Sequence, residues 1–502
     1  MKHKGLAVFL FLLGVALAAH SSESQPVNSI QLMAWLTAGV PNSRLVRIVQ
    51  ERGLASAPGK DQIHQLEVAG ADANLLRTLT DARSHTTTSS ASVAPGISEA
   101  KISEAKIPAQ IAQAAAFASA QHFHEAELSV REALTTDSEN AALHFALAAM
   151  LRQQGNFDEA FEEFTRSAQL MPDFPENHSA LAYIFYLVDD GPNAIAEART
   201  ALSMDPQNAE GYQFLGLALY SNGKYGAAVH AFNESLARDA SSVDAYYDLG
   251  ITFHAEGNDL AAIAAYRQAL HLNSAFWQAH SNLALILHEQ HKLDEAVAEY
   301  REAKRLAPEE ASVRNNLGNT YCDKGDFDAA ILEMRELYRQ HPEWQQGHGC
   351  LARAYMSKKD YPSAIDELQL SVRQNPTSSG EHRVLGEALL LDDKLDDGVK
   401  ELRLAVTLNP DSDTSHRALG TALFQQRQLP AAEKEFREAL RLNASPDNHY
   451  ALAACLMTMD RYEEALSELE TAARLDPERK LYQARRDELQ KLIQTQSEVQ
   501  SK

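Results

Sequence analysis

The chain has 502 residues, a formal net charge of −23 at pH 7 and 45% hydrophobic residues. So acidic a chain argues against nucleic-acid partners and against anionic membrane surfaces, both of which attract basic proteins. Its charge is compatible with a soluble protein whose partners are basic, neutral or apolar.

The first residues predict a secretory signal peptide over 1–19. Lys2 and Lys4 precede a short apolar run, and small residues, among them Ala18 and Ala19, follow it. The run is shorter than the roughly 20 residues that a transmembrane helix needs. We therefore expect cleavage near these alanines and export to the periplasm or the cell exterior. Retention as an uncleaved anchor is the alternative.

Residues 27–82 predict a small helical domain made of four amphipathic stretches. We expect it to bury Leu32, Trp35, Leu36, Leu45, Ile48, Val49, Leu66 and Leu76. The segment resembles short helical modules that precede repeat arrays in some bacterial envelope proteins, and that resemblance implies a folding or docking role. A Ser/Thr-rich stretch at 83–106 predicts a linker.

The rest of the chain repeats itself every 34 residues, with a final step of 33. One ladder consists of Leu147, Leu181, Leu215, Leu249, Leu283, Leu317, Leu351, Leu385, Leu419 and Leu452. Alanine, replaced once by Gly398, forms a second ladder from Ala126 to Ala465. Proline forms a third at the same phase. Within one period, such as 311–342, the apolar spacing predicts two short helices with a turn at Gly325.

This period and pattern resemble the tetratricopeptide repeat family. The resemblance implies an all-α fold, a right-handed α-solenoid, with eleven repeats over 107–478. The repeats start near 107, 141, 175, 209, 243, 277, 311, 345, 379, 413 and 446. A C-terminal capping helix is expected at 479–497, with one side formed by Leu481, Leu489, Leu492 and Ile493.

Counted from the start of each repeat, the eighth residue is always Gly or Ala after the first repeat, and the twentieth is Ala or Gly. The absence of bulk at both positions predicts that the two helices of a repeat approach each other closely. Large residues of the second helix then fill the space between repeats.

The sequence contains no phosphate-binding GxxxxGK[ST] loop, no GxSxG nucleophile elbow and no HExxH metal motif. His288 and His291 could share a helix face, and His254, His288 and Cys322 occupy position twelve of three successive repeats. Packed helices stand about 8–10 Å apart, so these three residues could not hold one metal ion. We predict no enzyme activity, no metal and no cofactor.

The three cysteines, Cys322, Cys350 and Cys455, are too few and too scattered to predict a disulfide framework. Cys322 and Cys350 fall in adjacent repeats at different helical phases. We therefore do not expect them to pair.

Histidine recurs at position four of seven repeats, where the family usually has an aromatic residue. These histidines are His144, His178, His280, His348, His382, His416 and His449. Either they supply flat, half-buried rings at a helix junction, or their joint charging near pH 6 forms a stability switch.

The resemblance implies that positions two, five, six, nine and twelve of the first helices face a concave groove. On this sequence those positions give the candidate peptide-binding residues Tyr183, Tyr186, Tyr220, Tyr247, Asp248, Asn282 and Asn316, with His254 beside them. Aromatic rings can cover apolar side chains of an extended peptide, and amides can satisfy its backbone. The two asparagines are similar to the asparagine ladder of O-GlcNAc transferase repeats, although no glycosyltransferase domain follows here.

We thus expect a non-catalytic scaffold that binds proteins or extended peptide segments in its groove, with no nucleic acid and no membrane insertion after signal cleavage. The alternative is an accessory subunit of an envelope assembly, secretion or glycan-processing complex. Ordinary solvated groove residues remain the competing interpretation of the candidate site.

Overall fold

The computed structural model describes residues 25–85 and 106–500. These residues form helices joined by short turns, with one isolated β-bridge between Val27 and Leu54. The predicted signal peptide and most of the predicted linker lie outside the described residues. No helix in the described ranges is both long enough and apolar enough to cross a bilayer.

Four helices form what we call the N-terminal module. They are α1 (Ser29–Thr37), α2 (Asn42–Arg52), α3 (Lys60–Val68) and α4 (Ala73–His85). A capping box starts α1, in which the Asn28 side chain accepts from the Gln31 backbone while the Gln31 side chain accepts from the Asn28 backbone.

The core of this module follows the predicted pattern with one shift. Trp35, Leu45 and Leu66 are fully buried, as expected from their spacing. Leu76 is only partly buried, and Leu75 and Leu79 supply the inward face of α4 instead. Because these two leucines are four residues apart, they lie on one side of the helix.

From residue 107 onward, the helices come in consecutive hairpins. Up to residue 258 they are α5 (Ile107–Ser119), α6 (Phe123–Thr136), α7 (Ala141–Gln153), α8 (Phe157–Leu170), α9 (Pro175–Leu187), α10 (Gly191–Met204), α11 (Ala209–Ser221), α12 (Tyr225–Arg238) and α13 (Val243–Ala255). Together with the N-terminal module these helices form the first of two units, which ends at Asn258.

The second unit begins at Asp259. Its helices are α14 (Asp259–Leu272), α15 (Trp277–Glu289), α16 (Leu293–Leu306), α17 (Ala311–Lys324), α18 (Phe327–Gln340), α19 (His348–Ser357), α20 (Tyr361–Gln374), α21 (Ser379–Leu391), α22 (Leu395–Leu408), α23 (Asp413–Gln425), α24 (Leu429–Leu442), α25 (Pro446–Thr458), α26 (Tyr462–Leu475) and α27 (Lys480–Gln500). Within each unit every helix from α5 onward packs on the next, so the fold is an all-α solenoid.

The turn inside each hairpin has one residue in the left-handed region of backbone space. These residues are Gln121, Gly155, Asp189, Gly223, Gly257, His291, Gly325, Lys359, Asp393, Arg427 and Asp460. They recur every 34 residues, with a final step of 33, although only four are glycine. The hairpin geometry therefore repeats even where the residue is unfavourable for the conformation.

The predicted close approach within hairpins is present. A Cβ placed on Gly318 would lie 2.7 Å from the Met334 side chain, and one on Gly420 would lie 2.7 Å from Phe436. A side chain at Gly318 or Gly420 would therefore displace Met334 or Phe436 of the second helix.

The C-terminal helix α27 differs from its prediction in the residues it buries. Tyr482 and Leu489 are buried and Ile493 packs with them, whereas Leu481 and Leu492 are each more than 40% exposed. Tyr482 was missed because its ring lies against Tyr450, 5.3 Å away between centroids, while its hydroxyl donates to Asp447 at 2.6 Å.

Candidate functional site

The candidate site in the first unit lies on first helices of consecutive hairpins. Tyr183 and Tyr186 lie on α9, Tyr220 on α11 and Asp248 on α13. Tyr183 and Tyr186 have ring centroids 6.1 Å apart, and Tyr186 interacts electrostatically with Tyr220 and Asp248. The structure therefore brings together four of the predicted residues. We call these four, with Gln213 of α11, the tyrosine groove.

Gln213 was not predicted from the sequence, yet it contacts the acid of this site. Its Nε2 donates to Oδ2 of Asp248 at 2.9 Å. Burial raises the pKa of Asp248 to about 7, Gln213 opposes the rise, and the nearby Asp244 carboxylate adds to it. Burial also raises the pKa of Tyr186.

The other predicted residues are placed differently. Tyr247 is half-buried on α13, next to Asp248. In the second unit, Asn282 lies half-buried on α15, and Asn316 on α17 accepts a hydrogen bond from Asn315 at 3.3 Å. Asn316 also lies beside Tyr300, so part of its polar capacity is used within the protein.

Neighbouring first helices are staggered along their axes. Tyr183, at position nine, packs on Phe214, at position six of the next repeat, with ring centroids 4.9 Å apart. Arg152, at position twelve, lies over the Tyr183 ring, 5.5 Å from its centroid. In these two contacts a residue meets the next repeat at a position three residues earlier, whereas Gln213, at position five, meets Asp248 at position six.

This stagger overturns the expectation for the cysteines. Cys322 and Cys350 form a disulfide between α17 and α19, with their Cα atoms 5.9 Å apart. They occupy positions twelve and six of adjacent repeats, so their different helical phases bring them together instead of keeping them apart. Cys455 is a free, buried thiol.

Two of the three residues at position twelve, His288 and Cys322, make contacts that do not involve a metal. Cys322 is in the disulfide, and Nε2 of His288 lies 2.7 Å from Oδ2 of Asp323. His291 is the left-handed residue of its turn, so it does not continue the helix face of His288. The described residues contain no group of three His, Cys, Asp or Glu that could hold a metal ion.

Each histidine at position four pairs with a glutamate 19 residues later on the second helix. The Nδ1–Oε2 distances run from 2.5 to 2.7 Å. The glutamates are Glu163, Glu197, Glu299, Glu367, Glu401, Glu435 and Glu468. In the repeat that starts at 311, Arg314 replaces the histidine and pairs with Glu333 at 3.0 Å. The constant spacing was visible in the sequence and would have predicted these pairs.

The N-terminal module contributes a second polar cluster to the first unit. Nε of Arg44 donates to Oε1 of Glu176 at 2.5 Å, and Arg44 also lies 3.3 Å from Asp205. All three are buried. Next to them, Trp35 stacks on Phe174 with ring centroids 4.6 Å apart. The module therefore packs on α7 and α9 through both aromatic and charged contacts.

Comparison with known protein families identifies the repeat. Tetratricopeptide repeat models match residues 141–174, 215–272, 284–325, 315–379 and 417–480. The matches fall on helix hairpins of both units. That there are eleven repeats stays a prediction, because the models match only some of the hairpins.

Individual relatives are distant. Small glutamine-rich tetratricopeptide repeat-containing protein 2 of Mycosarcoma maydis is 32% identical over 93 residues, which are 17% of this chain and 26% of that protein. The chain thus spans about a quarter of that curated relative.

Solved structures are similarly distant. Yeast Tom70 is 15% identical, with 79% of this chain and 97% of that chain covered and a TM-score of 0.32. YrrB, described as a tetratricopeptide repeat protein with an unusual peptide-binding site, is 22% identical, with 40% and 99% covered and a TM-score of 0.32.

From the disulfide we predict the number of free thiols in the protein. Titration of the denatured chain should give one free thiol without reductant and three after reduction, because Cys322 and Cys350 are linked. Reduction should lower the free energy of unfolding of the second unit by about 3 kcal/mol, the usual effect of a loop of this size. The substitution Cys455→Ser is the control: it should abolish the free thiol and leave the effect of reduction unchanged. Three free thiols without reductant would contradict the linkage.

The His280–Glu299 pair predicts that acidification strengthens this contact, the opposite of a fold that loses stability when its histidines become charged. The hydrogen bond with Glu299, partly opposed by burial, raises the pKa of His280 above its ordinary value. The pair therefore stabilises the fold fully below the unfolded pKa, and its contribution disappears as the pH rises through the folded pKa.

We expect Glu299→Gln to lower stability by up to about 1 kcal/mol at pH 6 and by almost nothing at pH 9. Thermal midpoints of both proteins at the two pH values test this. Glu295→Gln, which replaces an exposed glutamate on the same helix, should change neither midpoint. A larger loss at pH 9 than at pH 6 would show that the pair does not act as an ion pair.

Proposed function

Because the chain belongs to the tetratricopeptide repeat family, we propose that it is a non-catalytic scaffold that binds extended segments of partner proteins in the tyrosine groove. The observation that carries this proposal is the convergence of Tyr183, Tyr186, Tyr220 and Asp248 from three successive first helices. All of these side chains are only half-buried, so their remaining surface faces solvent.

The chemistry of the groove suits a peptide. Tyrosine rings provide large apolar contact areas at low entropic cost, since each has few rotatable bonds. Gln213 and Asp248 provide a polar edge that can bond a peptide backbone or side chain. No reaction is needed for either role, which agrees with the family's general use as a scaffold.

We further propose that the protein acts outside the cytoplasm and that the hairpins between 107 and 475 are eleven repeats. Two observations support export. The first residues have the pattern of a signal peptide. In addition, a disulfide such as Cys322–Cys350 persists in oxidising compartments and is rare where glutathione and thioredoxin keep thiols reduced.

Affinity capture tests the role of the groove. The full chain is immobilised and exposed to an extract of its own cells, and the bound proteins are quantified by mass spectrometry. In the variant Tyr186→Ala/Tyr220→Ala, we expect bound partners to fall by tenfold or more, since each lost aromatic anchor costs about 1–2 kcal/mol.

Tyr361→Ala is the matched control, because Tyr361 starts a second helix in the other unit and is also half-buried. It should leave the captured set unchanged. Circular dichroism checks that both proteins are folded. If the wild type and the groove variant then capture equal amounts, the binding surface lies outside the tyrosine groove.

A further inference from the structure

We infer that the tyrosine groove selects partner segments that carry basic side chains, and that Glu176, Glu210 and Asp248 receive those side chains. This inference rests on the proposed function. It adds a chemical class of partner, which neither the repeat family nor the tyrosines specify.

The three carboxylates lie on the first helices of successive repeats. Glu176 and Glu210 occupy position two of α9 and α11, and Asp248 occupies position six of α13. All three belong to the first unit. An extended segment that crosses these helices would therefore pass one carboxylate per repeat.

Glu176 already shows how one such carboxylate binds a cation. Its Oε1 accepts from the guanidinium of Arg44, which the N-terminal module supplies. Its Oε2 is buried and has no hydrogen-bond partner among the described residues. A buried polar atom without a partner costs about 1–3 kcal/mol, so a second donor at Oε2 would be favourable.

Glu176 also lines a cleft in the first unit. Its volume is about 230 Å³, and its lining includes Gly39, Phe145, Arg152, Glu176 and Glu210. This is below the roughly 300 Å³ of small drug-sized pockets and suits a single long side chain. Phe145 and Ala180 in the same lining can contact the aliphatic stem of a lysine or arginine, whose charged head could then meet a carboxylate.

Arg152 is the arginine among the residues that line this cleft. Its guanidinium lies over the Tyr183 ring and makes no ion pair within 4.0 Å with a described residue, so it offsets Glu210 only at longer range. Because Arg44 already pairs with Glu176, Glu210 is the carboxylate lining this cleft that has no ion pair among the described residues. The contact also shows that a tyrosine of this groove accepts a guanidinium on its face.

Asp248 places a further carboxylate on α13, the first helix of the repeat that follows Tyr220. It bonds Gln213 and, within the described residues, has no ion pair. A lysine or arginine placed beside Tyr186 would meet the carboxylate and the negative ring face together. An acidic segment would place its carboxylates against Asp248 and Glu210, and like charges are unfavourable there.

The test uses three fluorescent decapeptides of alternating threonine with lysine, glutamine or glutamate. Fluorescence anisotropy measures their binding to the full chain at low and at physiological salt. We expect the lysine peptide to bind at least tenfold more tightly than the glutamine peptide, and the glutamate peptide to bind most weakly. Added salt should weaken binding of the lysine peptide more than that of the glutamine peptide.

Two double variants, each of which removes two negative charges, show where the preference for the lysine peptide arises. Glu210→Gln/Asp248→Asn should weaken the lysine peptide about tenfold for each carboxylate, as expected for a charge-assisted hydrogen bond, and should leave the glutamine peptide nearly unchanged. Glu132→Gln/Glu162→Gln removes two exposed acids from second helices of the same unit and should change neither. A decrease of equal size in both variants would show that net charge, not the groove, governs binding.

The outcomes separate this inference from the proposed function. If all three peptides bind equally well and Tyr186→Ala/Tyr220→Ala abolishes that binding, the groove binds peptides but has no preference for basic ones. If no peptide binds up to about 1 mM, where the binding free energy is near 4 kcal/mol, both proposals are wrong. Retained binding of the lysine peptide in Glu210→Gln/Asp248→Asn overturns the assignment of these carboxylates.

Discussion

The close approach of the two helices in each hairpin is the constraint on which the rest of this structure depends. It requires a small residue at position eight, because a large side chain of the second helix fills the space directly above it. Phe232 lies over Gly216 in this way, and Leu402 over Gly386, at distances that leave no room for a Cβ. Within each unit, successive first helices lie side by side and are staggered along their axes.

That stagger determines which side chains meet. Position nine of one repeat reaches position six of the next in the Tyr183–Phe214 contact, and position twelve reaches position nine in the Arg152–Tyr183 contact. The same rule joins Cys322 to Cys350. Contacts between neighbouring first helices thus include both the aromatic contacts of the groove and the disulfide. The residue types at the contacting positions decide which kind of contact forms.

The repeat itself could be predicted from the sequence because its signal is periodic and local. Helix positions, the turn at Gly325 and the small residues at position eight all follow from spacing alone. The contacts between repeats could not be predicted in this way. Helical phase within one repeat does not give the axial shift between neighbours, and for this reason the cysteine pairing was predicted wrongly.

Burial at the ends of the chain was also only partly predictable. The inward face of α27 uses Tyr482, because its ring packs on Tyr450 while its hydroxyl reaches Asp447. A pattern that counts only leucine and isoleucine finds Leu489 and Ile493 but misses Tyr482 and includes the exposed Leu481 and Leu492. Likewise, no feature of the sequence shows that Arg44 and Glu176, 132 residues apart, would meet.

The charge of the groove determines which class of partner it prefers. The protein as a whole is acidic, and within the first unit Glu210 and Asp248 are carboxylates without an ion pair among the described residues. Tyrosine rings between them prefer cations on their faces. A partner with basic side chains therefore gains from the ring faces and from the carboxylates at the same surface.

The most direct test of this account is photo-crosslinking of the lysine decapeptide, carrying a diazirine, to the full chain, with the linked residues identified by mass spectrometry. The account predicts crosslinks on α9, α11 and α13, near Tyr186, Tyr220 and Asp248, which excess unlabelled peptide removes. Crosslinks confined to the second helices, or to residues after Asp259, would contradict it.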